Sequence, residues 1–164
     1  MVHVGCQIAV MEVSSHALIQ KRVGGIDFDV AVFTNLTHDH LDYHATKENY
    51  FQAKALLFRS LSRRRKKPVA VVNLDDPYGR ELVRDVPLEA DLITYAIGQE
   101  AAVRAVNLQI TSADSVFDVR SPWGEAQVRL KLLGRFNVSN VLAALATAGA
   151  AGVPMVHALS LIHI

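Results

Sequence analysis

The 164-residue sequence predicts an α/β fold: a mostly parallel sheet flanked by helices, with an antiparallel strand meander appended. Two patterns carry this expectation. From residue 7 to 96, short apolar runs alternate with helical stretches, the order of a parallel sheet covered by helices. From 103 to 132, VRAVNLQIT, SVFDVRS and AQVRLKL alternate apolar and polar residues across short turn signals. That alternation marks antiparallel strands with one exposed face.

The elements follow in order. QIAVMEV at 7–13 reads as a buried strand with Glu12 near its end, and Ser14-Ser15 hands over to a loop. Residues 16–23 suit a short helix broken by Gly24-Gly25. FDVAVFT at 28–34 is a second buried strand, and 35–45 a polar loop. Thr46 is placed to cap a helix carrying Tyr50, Phe51, Ala53, Lys54, Leu57, Phe58 and Leu61. VAVVN at 69–73, a helix at 78–85 and a strand at 92–96 complete the parallel part. After the meander, Gly134 opens an Ala- and Leu-rich helix that the Gly152-Val153-Pro154 turn ends.

Bulk composition narrows the class. Hydrophobic residues make up 51% and charged residues 20%, a globular balance. The net charge of +1 argues for neither nucleic acid nor an anionic membrane as partner. The run Arg63-Arg64-Arg65-Lys66-Lys67 reads as a solvated loop, since no aromatic or nucleic-acid motif accompanies it. The single cysteine, Cys6, permits no internal disulfide and fits a reducing, cytoplasmic setting. No apolar run is long enough to span a bilayer, and no signal peptide or internal repeat is visible.

Chemistry concentrates in two stretches, Met11–His16 and Thr34–Phe58. Two apolar runs that both end in polar residues suggest one crevice at the carboxyl ends of strands, where open α/β sheets bind ligands. Glu12 could give Mg²⁺ a carboxylate, and His40 a less usual nitrogen. His38-Asp39-His40 is dense in ligands, but a structural zinc site needs four, and no CxxC is present. Asp42 and His44 could orient that loop or a ligand. Lys54 has two readings. It could lay its stem on apolar surface and reach water, or desolvation could free a neutral amine able to take up CO₂ as a carbamate. Asn137 and Asn140 could read a purine edge with their amides, or Asn137 or Ser139 could simply cap the last helix.

Six pieces carry a resemblance: MEVSSHAL at 11–18, the Gln20 and Arg22 that follow, FTNLTHDHLDYH at 33–44, YFQAK at 50–54, VVNLDDPYG at 71–79 and GRFNVSNVLAALA at 134–146. In this order they resemble the Mur ligase family, in its diamino-acid-adding branch. The resemblance implies the family's central, ATP-binding domain, of P-loop NTPase-like fold. It implies an ATP- and Mg²⁺-dependent amide-bond ligase of peptidoglycan precursor synthesis. ATP would activate the terminal carboxylate of UDP-MurNAc-L-Ala-D-Glu as an acyl phosphate, and the amine of a diamino acid, meso-diaminopimelate by preference over lysine, would attack it. By position, Glu12, His40 and a carbamylated Lys54 resemble the Mg²⁺ site, with Lys54 and His40 serving catalysis. Ser14, Gln20 and Arg22 resemble contacts to the UDP-MurNAc-peptide, and Asn140 and Asn137 contacts to adenine. Asp39, Asp42 and His44 support that motif. A cytoplasmic monomer is expected.

The departures matter too. The family's phosphate loop, G-x-x-x-x-G-K-[ST], has no match in these 164 residues. Residues 1–158 are therefore expected to be part of a central domain lacking that loop, and inactive alone. Residues 159–164, LSLIHI, also match the translation of a common sequencing adapter and are expected to be a non-native tail. Two alternatives stand beside this reading: a non-catalytic nucleotide- or metal-binding module, and another Mur or folylpolyglutamate synthetase-like ligase.

Overall fold

The computed structural model describes residues 5–37, 41–62 and 66–162, with backbone alone at Leu41 and Asp42. Its elements in chain order are α1 (Ser15–Ile19), β1 (Val30–Phe33), α2 (Leu41–His44), α3 (Lys47–Arg59), β2 (Val69–Asn73) and α4 (Pro77–Asp85). They continue with β3 (Asp91–Ala96), β4 (Val103–Ile110), β5 (Ser115–Ser121), β6 (Gly124–Leu130), α5 (Arg135–Ala150) and α6 (Met155–Ile162).

One six-stranded sheet runs β1-β2-β3-β4-β5-β6. The first four strands are parallel and the last three form the expected antiparallel meander. β3 and β4 share only Tyr95↔Val103 and Ala96↔Arg104. With so short an overlap the chain has to return by only about one residue's height, and six residues without a helix suffice to connect them.

Side chains alternate across the parallel strands, so both faces are covered. Val71 of β2 joins a cluster with Tyr95, Phe117, Val128 and Leu142 under α5. Its neighbours Ala70 and Val72 turn the other way, to Phe33, Phe51, Phe58 and Leu82 under α3 and α4. Thr46 caps α3 as the pattern implies, its hydroxyl accepting from the Asn49 amide. The Asn49 side chain instead reaches the His44 carbonyl. Gly79 is required by contact: a Cβ there would lie 1.9 Å from the Asn73 carbonyl oxygen.

Three expectations need correction. QIAVMEV is not a strand; residues 6–14 carry no regular structure and are largely exposed, with Val10 90% accessible. β1 is an edge strand, with β2 as its one strand neighbour, and among the described residues no strand pairs with its far side. A parallel strand needs cover on both faces to offset the entropy of ordering it. The 35–45 loop is interrupted by the short helix α2. Residues 155–162, for which the sequence suggested no element, form α6, and Met155, Leu159 and Ile162 pack against the cluster under α5.

Candidate functional site

The carboxyl ends of β1, β2 and β3 converge, and side chains fasten them together. Asn73 closes β2; its amide donates to the Thr34 carbonyl at 2.7 Å while its oxygen accepts from the Asp75 amide. Asp76 starts α4. One carboxylate oxygen accepts from the Tyr78 amide and the other, across the sheet, from the Leu36 amide at 3.0 Å. Asp75 faces the other way and accepts from the amides of Ile97 and Gly98. Tyr95 of β3 donates its phenol to the Phe33 carbonyl. Burial pushes the Tyr95 phenol well above its ordinary value, against the opposing pull of Ser139; Asp75 and Asp76 raise it further. It therefore remains a donor.

A second set of contacts joins the two chemistry-rich stretches. Ser14 caps α1, its hydroxyl accepting from the Ala17 amide. The buried Ser15 hydroxyl shares a 2.8 Å hydrogen bond with Nε2 of the buried His44. The His44 ring stacks on Tyr50, centroids 4.9 Å apart and planes 18° from parallel. Lys54 lies beyond: its Nζ is 5.0 Å from the Tyr50 ring centroid, 5.9 Å from that of Phe33, and donates to the Asn35 carbonyl at 3.0 Å. A carbonyl and two aromatic faces suit an ammonium group. Ser15, His44, Tyr50, Lys54 and Asn35 thus form one column from the first stretch to the end of β1.

The sequence-selected residues fall unevenly around this column. Lys54 is inside it and half-buried, its amine donating to the Asn35 carbonyl. Glu12 is exposed and lies three residues before Ser15 on irregular backbone, not at a strand end. Ser14, Gln20 and Arg22 are exposed around α1. Asn140 is exposed on α5, while the Asn137 amide donates to the Leu133 carbonyl; no side chain caps the N-terminus of α5, so the capping expectation is not met. His38, Asp39 and His40 lie outside the described residues, as do Arg63, Arg64, Arg65 and the Asp42 side chain. Among the described residues, no three His, Cys, Asp or Glu gather closely enough to hold a metal. A carboxylate at Glu12 suits Mg²⁺ by its chemistry; Lys54 suits it only as a carbamate, since Mg²⁺ takes oxygen ligands. The apolar pockets lie elsewhere, between the β5–β6 turn and α6 around Trp123 and Met155, and share no residue with the column.

Sequence reasoning missed Ser15, Asn73, Asp76 and Tyr95 as builders of this site. The signal was the VVNLDDPYG stretch, three polar residues clustered where a strand ends.

An open α/β domain with polar groups gathered at the carboxyl ends of its parallel strands belongs with proteins that bind ligands along that edge. The model of the Mur ligase middle domain matches residues 1–148, and the chain belongs to the Mur ligase family. It is 48% identical over 163 residues to the UDP-N-acetylmuramoyl-L-alanyl-D-glutamate–2,6-diaminopimelate ligase of Listeria innocua, covering 97% of this chain and 33% of that protein. It is 44% identical to the UDP-N-acetylmuramyl-tripeptide synthetase of a Roseiflexus species, covering 94% of this chain and 32% of that protein. A solved structure of a UDP-N-acetylmuramoyl-L-alanyl-D-glutamate–2,6-diaminopimelate ligase superposes with a TM-score of 0.84 at 36% identity, over 98% of this chain and 33% of that one. The chain thus spans about a third of the length of the relatives it matches. Among the described residues, no helix is long and apolar enough to cross a membrane.

Proposed function

We propose that these residues are the middle domain of an ATP- and Mg²⁺-dependent ligase that joins a diamino acid to UDP-MurNAc-L-Ala-D-Glu through an acyl phosphate. The observation that carries this reading is the column from Ser15 to Asn35, which links the MEVSSHAL stretch to Lys54. The relatives named as 2,6-diaminopimelate ligases make 2,6-diaminopimelate the favoured amino acid.

In this reading Ser14, Gln20 and Arg22, exposed around α1, hold the UDP-MurNAc-peptide. Arg22 supplies a forked cation for its anionic groups. Asn140, exposed on α5, offers a donor and an acceptor to adenine. Glu12, His40 and Lys54 would hold Mg²⁺, which when bound neutralises and orients the phosphates. As a carbamate, formed by adding CO₂ and releasing two protons, Lys54 would keep one N–H for the Asn35 carbonyl and exchange its positive charge for one negative charge shared by two oxygens. The rate then comes from placing carboxylate, amine and phosphoryl group together and neutralising the charge that develops.

The setting proposed is cytoplasmic and monomeric, and residues 159–164 are proposed to be non-native. These 164 residues alone hold no G-x-x-x-x-G-K-[ST] sequence, and alone they are inactive in this reading. The test is an assay of the complete ligase carrying this domain, with UDP-MurNAc-L-Ala-D-Glu, ATP and either diaminopimelate or lysine. Phosphate release matched to tripeptide formation is expected, with diaminopimelate preferred. Lys54→Ala should lower kcat by about 100-fold or more, as loss of a charge-handling group does, and Lys54→Arg, which cannot form this carbamate, should not restore it. Full activity in Lys54→Ala would remove Lys54 from the mechanism. Ligation by the 164 residues alone would refute the claim that they are inactive.

A further inference from the structure

Four consecutive residues at the end of β1 have a backbone group bound by a side chain from elsewhere. Tyr95 on β3 holds the Phe33 carbonyl, Asn73 at the end of β2 the Thr34 carbonyl, Lys54 on α3 the Asn35 carbonyl, and Asp76 before α4 the Leu36 amide. A single such bond is ordinary, since most side-chain hydrogen bonds go to backbone. Four in a row, from four elements, fix the conformation of a segment in which only Phe33 belongs to a ladder and no residue to a helix. The clamps are themselves tightly set. Asn73 is 6% exposed, and its amide is used at both ends. Asp76 divides its two oxygens between its own helix and Leu36. Gly79 lets α4 sit directly on the Asn73 carbonyl.

Resting on the ligase reading above, we propose that Asn73, Asp76 and Tyr95 are positioning residues for Lys54: they fix residues 33–36, whose Asn35 carbonyl and Phe33 ring form the seat of the Lys54 Nζ. The Lys54 amine meets Asn35, Phe33 and Tyr50 in this seat, while the bonds of Tyr95, Asn73 and Asp76 described above go to backbone. They act through the backbone. Asp75 does not belong to this set. It lies in the same turn with the same chemistry, but ties that turn to the end of β3.

That contrast makes the test. Asn73→Asp keeps the oxygen that accepts from Asp75 and loses the donor to Thr34. Tyr95→Phe removes one hydroxyl and nothing else. Asp75→Asn weakens the turn without touching residues 33–36. In the complete ligase, Mn²⁺ binding in the presence of a non-hydrolysable ATP analogue is measured by electron paramagnetic resonance, alongside steady-state kinetics and melting temperature. Asn73→Asp and Tyr95→Phe should each weaken Mn²⁺ binding about 10-fold, the usual effect of losing a group that orients a ligand. The KM for UDP-MurNAc-L-Ala-D-Glu should stay within about twofold, because the Ser14 side of the site is untouched. Asp75→Asn should lower the melting temperature comparably and leave Mn²⁺ binding unchanged. On a Lys54→Ala background, Asn73→Asp should have no further effect on Mn²⁺ binding, the non-additivity of residues acting through one another.

Equal effects of Asn73→Asp and Asp75→Asn on Mn²⁺, or additivity with Lys54→Ala, would overturn the positioning role and leave the ligase reading standing. A wild-type ligase that forms no tripeptide would overturn both.

Discussion

QIAVMEV at 7–13 and FDVAVFT at 28–34 are apolar runs of equal length, each leading into a polar motif, and they have opposite fates. The second forms β1, paired with β2 from Val30↔Val69 to Phe33↔Val72, with Phe33 2% exposed. The first carries no regular structure, with Ile8 64% and Val10 90% exposed. Their compositions do not separate them. What separates them is a neighbour: β1 has a strand beside it and the α3–α4 layer over one face, and its end is gripped by Tyr95, Asn73, Lys54 and Asp76. Apolar character alone does not make a strand; a backbone ladder and a covering layer do.

The largest effect that sharpens this contrast is expected at Gly79→Ala. The added methyl would meet backbone at the Asn73 carbonyl, which cannot rotate away. A loss above about 4 kcal/mol is expected in urea unfolding, the range reserved for severe steric conflict. A loss near about 1 kcal/mol would show that α4 slides freely and that the end of β2 is not a fixed anchor.

Asp76→Ala comes next. It removes the α4 cap, worth about 1 kcal/mol, and leaves the Leu36 amide without its acceptor, costing about 1–3 kcal/mol if water cannot replace it. Amide hydrogen exchange separates the two contributions: Tyr78 reports the cap and Leu36 the clamp. Unchanged exchange at Leu36 would mean that Asp76 does not grip the end of β1.

A smaller effect is expected from Tyr95 and pH. Its phenol is raised in the folded state by burial. Above about pH 10, where a free phenol ionises, the unfolded chain loses a proton that the folded chain keeps. Unfolding is then favoured, and stability falls as pH rises from the unfolded toward the folded value. The loss should be on the order of 1 kcal/mol by pH 11, and Tyr95→Phe should abolish that part of the slope. An identical slope in the variant would place the titration elsewhere.

The smallest effect is expected at Val10→Ser, within about 0.5 kcal/mol in this chain, because the side chain is already in water. In a complete ligase the same change becomes informative. A loss of about 1.5–3 kcal/mol, the worth of a fully buried valine, would show that the segment gains there the neighbours it lacks here. No loss would make its exposure intrinsic.

Much of this architecture was legible in the residues. VAVVN at 69–73 is β2 residue for residue, Thr46 caps α3, and the alternation after 103 gives the meander. These follow from local rules: side-chain period, a capping hydroxyl, turn residues. Lys54 was also visible as a lysine on an aromatic helix face. Local rules could not say that its amine rests on the Asn35 carbonyl, 19 residues back, or that Ser15 meets His44 across 29 residues.

By itself, then, the sequence determined the period of the strands and helices from 30 to 150 apart from the short α2, the family, and the residues able to carry chemistry. Tertiary structure decided which apolar run became a strand, that 155–162 would fold as a helix on the core, and that Tyr95, Asn73, Lys54 and Asp76 would hold four neighbouring backbone positions. The physical reason is range. Periodicity and capping are set by residues three or four apart, while the cover of a strand and the partner of a carbonyl come from segments 19 to 62 residues away, which only the folded chain brings together.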